Sequence, residues 1–281
     1  MIINTRRTIA LLMSIATAYS PAFAETSQQT ELSYRVGEKF SSPSIDRELH
    51  RDIFSVIHVR RYESGEDFLN IDHIKSDRHE PTQSGQGATE TYMVYNHQWY
   101  LSPLTGKDLS FGPVKEVALS TGVDWNTKNT RMQPHVFKMM IGPTFKLNVP
   151  NGFFDASLLY YQEHNHNGIV EKAVHYEPTY RISFAWGLPL GALDKTNFSI
   201  NGFLNYTGAK GKDGFGVYTF PETWSNVYLM ADISSTLNAK PNTVKLGMGY
   251  EYVRNKLGNP PTIRGGGTNT ATPMLKLAIG F

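Results

Sequence analysis

The chain of 281 residues contains no cysteine, which excludes disulfides, thiol nucleophiles and cysteine-ligated metal centres. It also lacks an excess of either charge: 27 Lys and Arg stand against 25 Asp and Glu, a net charge of +2. Both signs are interspersed, so there is no basic field for nucleic acid. Beyond the N-terminus no uninterrupted apolar run is long enough for a helix to span a bilayer.

What is present begins with Arg6 and Arg7, an apolar stretch from Ile9 to Ala18, and Ala22-Phe23-Ala24 before Glu25. Residues 1–24 read as a secretory signal peptide with an A-x-A cleavage site, leaving 25–281 as a single mature domain. An exported chain that stays in a membrane without an apolar helix must do so as a closed barrel. At the other end Leu275, Leu277, Ile279 and Phe281 alternate with Met274, Lys276, Ala278 and Gly280. A last strand with one greasy face, one small or polar face and a terminal aromatic suits the closing strand of an outer-membrane barrel. A soluble sandwich strand has the same period. Mean hydropathy is negative although aromatics make up 12% of the chain, as expected when only alternate residues meet lipid.

Period-2 alternation predicts twelve strands: 32–40, 52–63, 67–76, 89–101, 114–125, 135–149, 153–163, 173–187, 197–209, 225–237, 243–254 and 272–281. The even count and the connections agree with an all-β transmembrane antiparallel barrel, because those after even strands (64–66, 150–152, 238–242) are tight and several after odd strands (77–88, 210–224, 255–271) are long. The connection 102–113 is longer than a tight turn. On the fifth strand Val117, Leu119, Val123 and Trp125 share the lipid face, with Glu116, Ser120, Gly122 and Asp124 opposite. On the eighth Val174, Tyr176, Tyr180, Ile182, Phe184 and Trp186 are expected outward, with His175, Glu177, Thr179, Arg181, Ser183 and Ala185 inward.

The segment from Leu104 to Glu116, LTGKDLSFGPVKE, resembles the most characteristic stretch of the nucleoside-specific channel-forming outer-membrane proteins, the Tsx family, and of related phage-receptor porins. The resemblance extends more loosely over Asp52 to Trp125. It implies a monomeric twelve-stranded barrel with a narrow, polar, aromatic-containing channel for nucleosides and deoxynucleosides, and phage as a surface partner. One departure falls on the strand before the motif, where Val94, Asn96, Gln98 and Tyr100 face inward and the family carries charged residues, including a basic one in place of Gln98. Within the motif itself Gly106 and Gly112 permit positive φ, Pro113 fixes the entry to the fifth strand, and Asp108 can cap a turn.

Selecting a nucleoside calls for aromatic faces for its base and charged or amide groups for its sugar, with binding weak enough for release. Face parity nominates Glu116, Asp124, Lys138, Tyr161, Glu177, Arg181, Asn201, Phe203, Asn205, Tyr228, Asp232, Lys245, Glu251 and Lys276. Each also fits a barrel-filling ion-pair ladder, and Phe203, an apolar ring facing a wet interior, is the most telling.

The resulting expectation is a bacterial outer-membrane channel for passive, selective uptake of nucleosides or similar small polar solutes, with no catalysis, cofactor, metal or nucleic acid. A non-nucleoside channel or phage-receptor barrel is the first alternative, and a lipid hydrolase the second. For a hydrolase, His97 has no partner serine on its face. His164 and His166, at i and i+2 on one face, are too few to make a metal site, and Gly265-Gly266-Gly267 lacks the context of a phosphate cradle.

Overall fold

The computed structural model describes residues 25–281 apart from 83, 131–134, 168–170, 195 and 264. The signal-peptide reading falls on 1–24, outside the described residues. The strands are β1 (Glu25–Phe40), β2 (Leu49–Tyr62), β3 (Gly65–Ser76), β4 (Thr89–Tyr100), β5 (Val114–Lys128), β6 (Phe137–Leu147), β7 (Phe153–Asn167), β8 (Lys172–His175), β9 (Thr179–Leu193), β10 (Thr196–Thr207), β11 (Glu222–Asp232), β12 (Val244–Arg254) and β13 (Thr270–Gly280). Each pairs antiparallel with its neighbour, and β1 meets β13 from Glu31↔Gly280 to Gly37↔Met274, which closes the sheet. The short β8 and the long β9 both pair with β7, so they share one wall position and the cylinder has twelve. Closure leaves no unpaired edge, the condition for placing strands in hydrocarbon.

The twelve expected strands are all present; the larger departures are at the first, at the eighth, which also runs on to Leu193, and at the tenth. β1 starts at Glu25, and its first residues pair only with β2. The expected eighth strand is interrupted at 176–178, where Pro178 has no N–H to give the ladder. Alternation changes phase there: Val174 and Tyr176 are buried, whereas His175 and Glu177 are exposed. The expectation that Val174 and Tyr176 face lipid is therefore corrected. The expected tenth strand stops at Asp232, whose carboxylate accepts from Ser234 N (3.0 Å) and Asn242 N (2.8 Å) and so caps a short 3-10 turn, Ser234–Leu237.

One end of the cylinder, the turn end, carries Glu25, Phe281 and the connections 63–64, 148–152, 194–195 and 233–243. The opposite loop end carries 41–48, 77–88, 208–221 and 255–269. At the turn end the motif 104–116 is architecture. Gly106 ends the helical turn Leu101–Thr105 at φ 67, Ser110 N donates to Asp108 (2.8 Å), and Phe111 and Val114 exchange backbone hydrogen bonds around Gly112-Pro113.

Outward rows such as Leu275, Leu277 and Ile279 are apolar and exposed, the composition barrels present to lipid. On one side of the inner wall Phe40, Leu49, Ile53, Tyr228, Met230, Met274 and Ala278 form a buried apolar cluster. Gly249 makes room for it, since a Cβ there would lie 2.3 Å from the Tyr228 ring. Two ion pairs, Arg35–Asp72 (2.6 Å) and Lys276–Glu31 (2.7 Å), sit beside this cluster, and most of the others line the opposite side.

Candidate functional site

Inward rows of β2 to β10 bring opposite charges together at three levels. Toward the turn end Lys146 Nζ donates to Asp155 (2.9 Å), Glu66 (3.0 Å) and the Gln98 carbonyl (2.9 Å). Gln98 itself donates to Asp155 at 3.0 Å. Gln98, where the Tsx resemblance anticipates a base, thus faces the lumen and shares the cation Lys146. At mid-height Asp124 lies 3.5 Å from Arg181 and 3.7 Å from Lys138, and accepts from Tyr92 OH at 3.1 Å. Arg181 sits over the Tyr161 ring, 4.6 Å from its centroid, and donates to Thr207. Tyr161 OH donates to Glu163 (2.6 Å), which is also paired with Lys210. At the loop end Glu80 is held by Arg51 (2.9 Å) and Lys128 (2.5 Å). Buried charges of this kind persist only when paired and hydrogen-bonded.

One aromatic contact crosses the barrel. Tyr92 on β4 and Trp224 on β11 are six strand steps apart in either direction round the ring, yet their ring centroids are 5.9 Å apart at 66°. Phe203 on β10 packs edge-on to Trp224 at 6.3 Å. Three aromatic rings from opposite walls therefore meet in the lumen, with Lys138 Nζ donating to Tyr92 OH (2.8 Å) beside them. The side-chain oxygen of buried Asn226, paired across from Phe203, has no hydrogen-bond partner in the structure.

Of the nominated residues, Asp124, Lys138, Tyr161, Arg181 and Phe203 converge on this mid-lumen region. Asn205 accepts from Ser183 (2.6 Å) next to it, and Glu251 meets Asn226 at 3.4 Å. Lys276 pairs with Glu31 (2.7 Å) and covers Tyr228 on the apolar side. The rest lie elsewhere. Asn201 bonds Ser199, Asp232 caps its turn, and Lys245 stands opposite Asp232 at the turn end. Glu116 accepts from Ser102 N and Oγ and secures the helical turn. Glu177 is exposed beyond the phase change at Pro178, a correction to its lumenal assignment. Tyr92 and Trp224 are additions. Tyr92 shares the parity of Val94 and Asn96, whereas Trp224 lies one residue before the expected start of its strand.

On the outer wall His97 Nδ1 meets Asp67 at 2.7 Å, and Asp67 also accepts from Tyr62, Tyr95 and Arg60. The His97 ring lies tilted against Trp99, with centroids 4.2 Å apart, and its partners among the described residues include no serine.

No protein-family model and no curated protein matches the chain. Among solved structures it is similar to the translocator domain of autotransporter NalP from Neisseria meningitidis, with 12% identity, 99% of this chain and 95% of that one covered, and a TM-score of 0.48. It is also similar to the KdgM porin (12% identity, 89% and 99% covered, TM-score 0.42) and to the NanC porin (7% identity, 88% and 98% covered, TM-score 0.46). These likenesses are distant, and the fold is read from the strand pairing itself. That pairing makes the chain a closed twelve-position antiparallel β-barrel of the bacterial outer-membrane type.

Proposed function

We propose that this barrel is a monomeric outer-membrane channel for the passive, selective passage of nucleosides or similar small polar solutes, with its turn end in the periplasm. The observation that carries the reading is the aromatic constriction of Tyr92, Trp224 and Phe203, bordered by Lys138, Asp124 and Arg181. Flat rings offer stacking worth about 1–3 kcal/mol per base, by analogy with single-stranded nucleic acids. The flanking charges supply hydrogen-bond partners for hydroxyl and amide groups. Both charge signs line the same level, so the site suits neutral and zwitterionic solutes better than ions of one sign.

Swelling of proteoliposomes in adenosine, thymidine, sugars and amino acids tests this. Nucleosides should enter faster than sugars of similar size, and Phe203→Ala and Arg181→Ala should reduce that preference severalfold. Val117→Ala, on the outer face, should leave it unchanged. Equal rates for every solute would favour a non-nucleoside channel or a surface receptor such as phage use, and an unchanged preference in both lumenal variants would remove the site assignment. Lipid turnover by the purified protein would replace transport with hydrolysis.

A further inference from the structure

The outer face of the β7–β8 hairpin, at the loop end, carries histidines that neither the channel nor its wall uses. Glu163 and Tyr161 face inward, so His164 and His166 face outward by alternation. His175 on β8 is the direct cross-strand partner of His164. The two Nδ1 atoms are 2.6 Å apart, with ring centroids at 4.5 Å and the rings nearly perpendicular. His135 lies beside His166, with centroids 6.2 Å apart and a backbone hydrogen bond between them. From the sequence only the i, i+2 pair is visible; the register adds a second strand and a much closer pair.

We propose that His164 and His175 form a binding site for a divalent transition-metal ion of the class that imidazole prefers, Zn²⁺, Ni²⁺ or Cu²⁺. Neutral imidazoles in this contact share one proton between two nitrogens whose lone pairs point at the same spot. On metal binding that proton moves to Nε2 of its own ring, and the ion takes its place between the two Nδ1 lone pairs. With metal–nitrogen bonds of about 2.0–2.1 Å in tetrahedral geometry the two nitrogens must open to roughly 3.3 Å, a shift of under about 1 Å for exposed side chains. Among the described residues no three potential ligands converge on a point, so the pair supplies two protein ligands, short of the three or four of a built zinc site, and makes a weak surface site whose remaining positions are filled by water. The bound ion would add a side-chain tie to the four-residue β7–β8 pairing, next to the break between β8 and β9.

Equilibrium dialysis of tag-free, detergent-folded protein against Ni²⁺ or Zn²⁺ tests the site. One saturable equivalent is expected, weakened at least tenfold in both His164→Gln and His175→Gln and retained in His73→Gln, an exposed histidine on β3. Heat-modifiable gel migration checks that each variant is folded. Absence of saturable binding, or undiminished binding in either variant of the pair, overturns the proposal.

Discussion

At the scale of residues, the proposed passage of solutes rests on the point where side chains from opposite walls touch. Removing the larger ring, Trp224→Ala, should widen the constriction. Single-channel conductance should rise severalfold while nucleoside affinity falls by about tenfold or more, since 1.4 kcal/mol is a factor of ten and one stacking face is lost. Unchanged conductance would mean that the constriction lies elsewhere. The inward side of Phe203, Asp124, Lys138 and Arg181 is legible in the sequence because alternation assigns faces directly. That Tyr92 meets Trp224 is not legible, since alternation does not say which strand lies opposite. Glu177 shows the other failure: parity holds only while the ladder is continuous, and Pro178 interrupts it.

At the scale of elements, strands are recovered from the sequence and loop interiors are not. A strand announces itself every second residue, whereas the loop after β3 is held by the carboxylates of Asp77, which accepts from the His50 and His79 backbone, and Glu80, which reaches back into the wall. Burial by itself raises the carboxyl pKa of Glu80, but the charges of Arg51 and Lys128 outweigh it and hold the group well below the usual range. A depressed folded-state pKa contributes stability that is complete above the ordinary carboxylate pKa and lost as pH falls through the folded value. Lys256, in the loop 255–269, behaves oppositely: burial first, then the nearby charges of Arg51 and Lys128, pull it down to about 8. The unfolded chain then binds the extra proton between about 8 and the ordinary lysine value, so this residue makes stability rise with pH across that window. Urea titrations of the folded barrel should show stability increasing from about pH 8 to 10, and Lys256→Met should flatten the rise. A slope unaffected by that substitution would contradict the assignment.

At the scale of the whole molecule, the closed ring and its two faces follow from strand parity and the seam between β1 and β13. Outward Leu277, paired with Leu246 on β12, lies in the apolar band, while Lys276 beside it turns inward to Glu31. Leu277→Arg should cost about 2–4 kcal/mol of folding free energy in lipid if it lies near the midplane, measured by urea unfolding in vesicles; a neutral result would mean that this face meets water. The apolar cluster on one side of the lumen is not visible in the sequence, because inward Met230, Met274 and Ile53 join it only after the ring closes. The account rests most directly on one recording: purified protein in a planar bilayer, with adenosine or thymidine added to one side. It predicts small, discrete conductance steps that nucleosides block in a concentration-dependent way and that sugars leave open. Absence of steps, or currents indifferent to every solute, would contradict it.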